Sequence, residues 1–412
     1  MEYGLIAEKL SHSFSKEIHS RLADYNYELY ELKRDELDAF MRNKNFKAIN
    51  VTIPYKEQVI PYLSEIDSAA KEIGAINTIV NKDGKLIGYN TDFAGMKAMC
   101  EKSGIEFNNK KVLILGSGGT SKTAFAVARS LGAREILQVS RKKGQGTISY
   151  EEAYDHHNDA EIIINTTPCG MYPDICGAAI DLKAFKNLQG AVDAVYNPLT
   201  TDFALTAKKQ GAKAVCGLYM LVAQAVFACE KFIDKKFESD VIESVYKEIL
   251  VSKQNIVLIG MPGAGKTTVG KIICEKTGRP FFDTDILIES KTGKHPSVII
   301  KEEGEKAFRD IESQVIKEVS IKSGVIIATG GGAVLREENV DNLRKNGVLF
   351  FIDRPLDELV ATVDRPLSSD KNSLKERYNE RYPIYTAVAD FTLKNIKTAD
   401  ETAQQIEKEL LI

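Results

Sequence analysis

Two stretches decide the fold: Lys111–Thr123, which reads KVLILGSGGTSKT, and Asn255–Thr268, which reads NIVLIGMPGAGKTT. Each opens with a short run rich in Val, Leu and Ile, turns on glycine, and continues into residues that favour a helix. An apolar run bounded by glycine reads as a strand buried on both faces. Similar runs stand at Glu161–Asn165, Ala191–Val195, Val325–Thr329 and Val348–Ile352. Buried strands that alternate with helical stretches predict an α/β fold with parallel sheets covered on both sides. Two glycine loops far apart in the chain predict two separate nucleotide-binding sheets.

Outward from these loops, the chain before residue 100 alternates strand candidates (Gly4–Ala7, Tyr27–Glu31, Lys47–Thr52, Asn77–Val80) with helices but holds no phosphate loop. It is expected to be a substrate lobe, residues 1–98, joined by the helical stretch of 218–250. Residues 99–217 form the expected dinucleotide domain and 253–412 the phosphate-loop domain, with Val251–Gln254 left as a short linker. A chain of 412 residues has room for this many domains. The apolar run Ala214–Cys229 is interrupted by Gln224 and is short for a membrane span, so a buried helix is expected there.

Charge excludes one class of partner. Before residue 251 there are 31 basic against 33 acidic residues, and after it 24 against 25. Neither half has the basic excess of a nucleic-acid binder. The start, MEYGLIAEKLSHS, lacks the basic-then-apolar order of a secretory signal, and the six cysteines form no CxxC pair. Free thiols and a cytoplasmic setting are expected, with no membrane association; oligomeric state is left open.

In the first loop, Gly116, Gly118 and Gly119 allow a tight turn and a close approach of backbone to pyrophosphate, whose charge the helix N-terminus favours. Thr123 stands where a third small residue would pack helix on sheet. Such a turn is also compatible with a purely structural strand–helix connection. The next strand candidate, Glu135–Val139, ends in Ser140-Arg141-Lys142-Lys143, where an acidic residue would hold the ribose hydroxyl of NAD. Cations suit a 2′-phosphate, so NADP(H) is expected, with a solvated basic turn as the alternative. The second loop, Gly260 to Thr267, fits GxxxxGK[ST]. Backbone N–H groups around Gly263, Ala264 and Gly265, with Thr268 beyond them, would cradle the phosphates of ATP; Lys266 would reach the β and γ oxygens and Thr267 would ligate Mg²⁺.

Four polar segments precede the first loop: Ser11-His12-Ser13-Phe14-Ser15, Asn50–Lys56 (NVTIPYK), Gly74–Thr78 (GAINT) and Asn90–Gly95 (NTDFAG). After it come Asn165-Thr166-Thr167-Pro168 with Gly170-Met171, then Asp193–Pro198 (DAVYNP) with Thr200. Gly217, Met220, Leu221 and Gln224 complete the series. In this order the motifs resemble shikimate dehydrogenase over about residues 1–250. The resemblance implies Lys56 and Asp92 as the catalytic pair, a proton donor and the carboxylate that holds it. It implies Ser13, Ser15, Thr52, Asn77 and Gln224 as substrate contacts, and Gly217 beside the cofactor. Lys16 departs from the family, which usually has proline there.

Beyond the second loop stand Asp283-Thr284-Asp285, Gly304-Glu305 with Phe308-Arg309 and Glu312, and Gly330-Gly331-Gly332. Asp364-Arg365-Pro366-Leu367 and Glu380–Tyr385 (ERYPIY) follow. These resemble shikimate kinase over about residues 253–412. The resemblance implies Asp285, Arg309, Gly331, Gly332 and Arg381 at the substrate, with Asp285 orienting the attacking hydroxyl. It implies Asp283 at the metal and Arg365 on the lid, while Thr362 stands where the family often has arginine. The two resemblances agree chemically. One implies reduction of 3-dehydroshikimate to shikimate and the other phosphorylation of shikimate, so a bifunctional enzyme is expected. The alternative is an active dehydrogenase fused to a kinase-like module that only binds ligand or regulates.

Overall fold

The computed structural model describes residues 1–10, 13–141, 144, 146–359, 371–394 and 398–410. The chain divides into two compact units, Met1–Ile249 and Leu250–Ile412.

The first unit contains two sheets. One is built from β1 (Tyr3–Ala7), β2 (Tyr27–Glu31), β3 (Ala48–Val51), β4 (Glu65–Ile66), β5 (Thr78–Lys82) and β6 (Lys85–Tyr89) in the order β2-β1-β3-β5-β6-β4. It is mixed, because β5 runs antiparallel to both β3 and β6. The β5–β6 hairpin turns on Asp83-Gly84, both at positive φ (52° and 84°), the Asp-Gly pairing that a tight hairpin turn favours. The other sheet is built from β7 (Lys111–Leu115), β8 (Glu135–Val139), β9 (Thr147–Ile148), β10 (Ile162–Asn165), β11 (Gly190–Asp193) and β12 (Lys213–Val215). All its strands are parallel, in the order β12-β11-β10-β7-β8-β9. That is the doubly wound nucleotide-binding order, with its switch point between β7 and β10, where ligands bind in such sheets. Every residue of β7 and β10 is buried, which is why these strands read as unbroken apolar runs.

Among the described residues, nine helices belong mainly to this unit: α1 (Ser15–Leu22), α2 (Leu37–Asn43), α3 (Ser68–Ile73), α4 (Thr91–Ser103), α5 (Gly119–Ser130), α6 (Tyr150–His156), α7 (Asp202–Lys209), α8 (Leu218–Ile233) and α9 (Val241–Lys253). Their ends follow local chemistry. Asn90 caps α4 by accepting from Phe93 N–H, left-handed Gly104 ends it, and Ser149 and Glu152 form a reciprocal capping box on α6. Helix α4 packs along α8, and at Gly95 a side chain would collide with the Met220 carbonyl and the Gln224 side chain. The glycine therefore permits the close approach that brings Gln224 to the first sheet. The apolar run Ala214–Cys229 is divided between β12 and α8. No described helix is long and apolar enough to cross a membrane.

The expected linker at Val251–Gln254 is corrected by the structure. Helix α9 continues through Lys253, and β13 begins at Asn255. The stretch has no Gly or Pro, so nothing in it stops the helix. Arg279 donates to the carbonyls of Gln254 (2.6 Å) and Val251 (2.5 Å), bonds that lie within the second unit.

The second unit has one parallel sheet of β13 (Asn255–Ile259), β14 (Phe281–Asp283), β15 (Ile326–Ala328), β16 (Gly347–Asp353) and β17 (Phe391–Lys394), ordered β14-β15-β13-β16-β17. Around it lie α10 (Lys266–Thr277), α11 (Thr284–Thr292), α12 (Pro296–Glu303), α13 (Glu305–Ser320), α14 (Glu337–Arg344), α15 (Lys371–Val388) and α16 (Ala399–Leu410). Its core joins β13, β15 and β16 with Ile273 of α10, Ile316 of α13 and Ile406 of α16. The loop after β13 thus emerges at the middle of the sheet, directly before α10.

Candidate active sites

In the first unit, the segments that carry polar residues converge on the C-terminal end of β3 and the N-terminal end of the antiparallel β5. Lys56 Nζ lies 2.5 Å from Asp92 Oδ2, with side-chain exposures of 12% and 8%. Asp92 sits in the first turn of α4. That turn is tied to the GAINT segment because Asn90 Nδ2 donates to the Ala75 carbonyl at 2.8 Å. Asn77 is buried. Its amide donates to Thr91 Oγ1 (2.9 Å) and Gln224 Oε1 (3.4 Å), and its carbonyl oxygen accepts from Thr91 N–H (2.7 Å). Behind it, Asn50 Nδ2 donates to Thr78 Oγ1 at 3.1 Å while Asn50 Oδ1 accepts from Tyr27 OH at 2.7 Å. Thr52 follows β3, its N–H bonded to the Ile6 carbonyl at 3.1 Å. Ser13 Oγ accepts from Ser15 N–H at 3.2 Å, and between these serines Phe14 packs on Tyr196, ring centroids 5.2 Å apart.

The glycine loop faces this cluster across a narrow gap. A Cβ at Gly119 would lie 3.4 Å from the Lys56 side chain, whereas one at Gly118 would meet nothing within 4 Å. Gly116 has φ +112° and no room on its other side, since a Cβ there would meet Thr166 Oγ1 at 2.8 Å. Gly118 caps α5 without any side-chain hydrogen bond, so the first N–H groups of the helix face an open cradle. Gln138 braces the turn by donating to the Gly116 carbonyl at 3.0 Å. Thr123 is fully buried, and its hydroxyl, 3.5 Å from Asn90 Nδ2, ties α5 to α4 rather than weakening the turn. Ser140 is buried at the end of β8 and Arg141 is exposed beside it. Lys142 lies outside the described residues, as do Ser11 and His12. Gly217 also sits close to backbone, since a Cβ there would collide with the Ala194 carbonyl.

Asp193, at the end of β11, is fully buried and accepts from Asn165 Nδ2 (2.9 Å), Val195 N–H (3.0 Å) and Thr201 Oγ1 (2.6 Å). Burial nonetheless pushes its carboxyl up to about 6. A raised folded value favours the protonated acid, so this contribution to stability is complete below about pH 4 and is lost as pH rises through about 6. Asp193→Asn is expected to remove that dependence, worth on the order of 2–3 kcal/mol. Amide hydrogen exchange of β10 and β11 checks it. Relative to the native chain, the variant should gain protection between pH 4.5 and 7.5 (roughly the window in which the raised acid titrates); an unchanging difference would contradict the burial account.

In the second unit, the loop after β13 wraps around Lys266. Lys266 is 8% exposed, and its ammonium donates to the carbonyls of Gly260 (2.8 Å) and Met261 (2.9 Å). Gly263 and Gly265 take φ +83° and +92°, and a Cβ at Gly265 would meet nothing within 4 Å, leaving the N-terminus of α10 accessible. Ala264 is buried in the turn and Thr268 is exposed on α10. Thr267 Oγ1 donates to Asp283 Oδ2 at 2.7 Å, and Asp283 Oδ1 caps α11 through Asp285 N–H at 3.0 Å. A hydroxyl and one carboxylate suit Mg²⁺, which takes few protein ligands and completes its shell with phosphate and water.

The glycine run after β15 lies against this loop: a Cβ at Gly331 would strike Pro262, and one at Gly330 would meet Glu312 Oε1 (2.8 Å) and Asp285 Oδ1 (2.9 Å). Over Gly332 lies the Arg309 guanidinium, which donates to Glu312 (2.7 Å) and Glu305 (3.1 Å). From α15, Arg381 donates to the Gly331 carbonyl at 3.2 Å, and Tyr385 OH donates to the same oxygen. Among the described residues, Arg381 Nε and Glu312 Oε1 are buried without a hydrogen-bond partner. Burial raises the Glu312 carboxyl, with Arg309 opposing. Such groups leave donors and an acceptor for an anionic, hydroxyl-bearing ligand. Arg365 and Thr362 lie outside the described residues.

Family models describe both units. The shikimate dehydrogenase substrate binding domain matches residues 5–79, and shikimate kinase matches residues 262–411. The shikimate dehydrogenase (NADP(+)) of Clostridium perfringens is 39% identical over 265 residues, which cover 60% of this chain and 97% of that protein. The chain belongs to the shikimate dehydrogenase family. Among solved structures, shikimate dehydrogenase 1 from Peptoclostridium difficile aligns with TM-score 0.56 and 34% identity, covering 60% of this chain and 98% of that one. The shikimate dehydrogenase from Thermus thermophilus in complex with NADP(H) and shikimate aligns with TM-score 0.54 and 25% identity, covering 60% and 99%. In the shikimate dehydrogenase unit, sequence reasoning missed Asn50, Thr91 and Tyr196 as parts of the site. All three stood inside quoted motifs, but the inward direction of Asn50 depends on the β3–β5 pairing. In the second unit it missed Tyr385, whose hydroxyl reaches the glycine run only because α15 crosses it.

Proposed function

We propose that the chain is a bifunctional enzyme that reduces 3-dehydroshikimate to shikimate and then phosphorylates shikimate to shikimate 3-phosphate. The observation that carries the first activity is the half-enclosed Lys56–Asp92 pair facing the open pyrophosphate cradle at Gly118-Gly119. When bound, NADPH supplies the hydride and ATP with Mg²⁺ supplies the phosphoryl group.

Hydride arriving at the ketone carbon leaves negative charge on oxygen, and Lys56 donates a proton to that oxygen as it forms. Asp92 holds the ammonium in line and compensates its charge. Asn77 and Gln224, already linked at 3.4 Å, bind ring hydroxyls together with Thr52, while Ser13 and Ser15 hold the carboxylate. Ser140, Arg141 and Lys142 would receive the 2′-phosphate, and Gly217 would let the backbone lie close to the nicotinamide. In the second unit, Asp285 accepts a hydrogen bond from the substrate hydroxyl and aims its oxygen at the phosphoryl group. Arg309, Arg381 and the Gly331-Gly332 backbone hold the carboxylate. With ATP and Mg²⁺ bound, Lys266 and the loop N–H groups would neutralise developing phosphate charge, Thr267 and Asp283 would hold the metal, and Arg365 would add a further cation at the transferring phosphate. Both cofactors are cytoplasmic metabolites, and the chain is assigned there.

Shikimate-dependent reduction of NADP⁺ and shikimate-dependent release of ADP test the two activities separately. NADP⁺ is expected to be preferred over NAD⁺ by at least about 10-fold in kcat/KM, and Arg141→Ala to erase most of that preference. Equal use of the two cofactors by the native chain would sink the assignment of the Ser140-Arg141-Lys142 turn.

A further inference from the structure

We infer that Arg377 is a third guanidinium of the carboxylate clamp in the second unit, binding the substrate's carboxylate together with Arg309 and Arg381. The inference rests on the kinase reading of this unit. Arg377, Arg381 and Tyr385 follow one another at intervals of four residues along α15, which places them on one face, a turn apart. The other two members of that row both donate to the Gly331 carbonyl, so the face fronts the glycine run and the Arg309 guanidinium that lies over Gly332.

Arg377 is half-buried there, and among the described residues no carboxylate lies within ion-pair distance of it. Glu305, the acidic group in electrostatic reach on α13, is engaged with Arg309 at 3.1 Å. Glu380, on the next turn of α15, is exposed. The like charges of Arg381 and Arg309 also reach Arg377, and burial followed by these two charges holds its guanidinium below the ordinary arginine range. A cation gathered against two others without its own counter-ion is stabilised when an anion enters. The substrate carries one fixed anion, the carboxylate, and Arg381 Nε is a buried donor without a hydrogen-bond partner among the described residues. Arginine suits the task because its planar fork can bind a carboxylate oxygen while a neighbour binds the other.

The test is steady-state kinase kinetics on the full chain with shikimate and with its methyl ester, for the native protein and for Arg377→Gln and Arg377→Lys. Arg377→Gln is expected to raise the shikimate KM by about 10-fold to 100-fold while kcat and the ATP KM change less than about 3-fold. Arg377→Lys should recover part of the loss. With the methyl ester, native and Arg377→Gln proteins should differ less than about 3-fold, since the charge that Arg377 serves is gone. An unchanged ATP KM shows that the second unit has folded, since the phosphate loop belongs to the same compact unit as Arg377. An unchanged shikimate KM in Arg377→Gln overturns the inference, and so does an equal rise with the ester. A loss confined to kcat or to the ATP KM overturns it too, placing Arg377 at the transferring phosphoryl group. Absence of shikimate phosphorylation by the native chain would instead refute the kinase reading.

Discussion

Lys56→Ala is expected to lower NADP-linked oxidation of shikimate by about 10²-fold to 10⁴-fold, the range that a positioned general acid–base residue contributes. Its ammonium is held by a single carboxylate, Asp92 at 2.5 Å, in a gap so narrow that a Cβ added at Gly119 would lie 3.4 Å from its stem. No other described cation shares that pairing, so no neighbour can take over the proton. The loss should appear in kcat, because the proton is needed as the alkoxide forms or as the alcohol ionises. Phosphorylation of added shikimate should be unchanged, since Lys56 and the second loop belong to different compact units. Steady-state rates of both reactions on the same preparation check this. A folded variant that keeps more than about a tenth of native oxidation would remove Lys56 from the chemistry.

Lys266→Ala is expected to do the converse, cutting phosphorylation by at least about 10²-fold to 10³-fold while dehydrogenation stays intact. The Lys266 ammonium now spans the carbonyls of Gly260 and Met261, so removing it also loosens the loop. Arg279→Lys serves as a fold control, because it disturbs the α9–β14 junction through the Gln254 and Val251 carbonyls without touching the phosphate loop. Retained phosphorylation in Lys266→Ala would refute the assignment of the loop.

Strands were legible wherever both faces are buried. β7 and β13 begin and end at the residues where their apolar runs do, because a parallel central strand has no exposed face to write polar residues into. The β5–β6 hairpin was harder. Lys85–Tyr89 is half-exposed, and its signal is the Asp83-Gly84 turn rather than its own composition. The continuation of α9 was missed because Val251–Gln254 lies between two recognisable elements and looks like leftover chain. Motif residues were legible as a set, but their partners were not. Nothing local to Glu312 says that its carboxylate and that of Asp285 both flank Gly330, and Arg377 carries no motif at all; both depend on helices converging from distant parts of the chain.

One mass-spectrometric assay on the full chain tests the central claim most directly. The protein receives 3-dehydroshikimate, NADPH, ATP and Mg²⁺, with each of the last three omitted in turn. The account predicts shikimate 3-phosphate in the complete mixture, shikimate alone without ATP or Mg²⁺, and unchanged 3-dehydroshikimate without NADPH. Shikimate that accumulates unphosphorylated in the complete mixture would contradict it and leave the second unit as a binding or regulatory module.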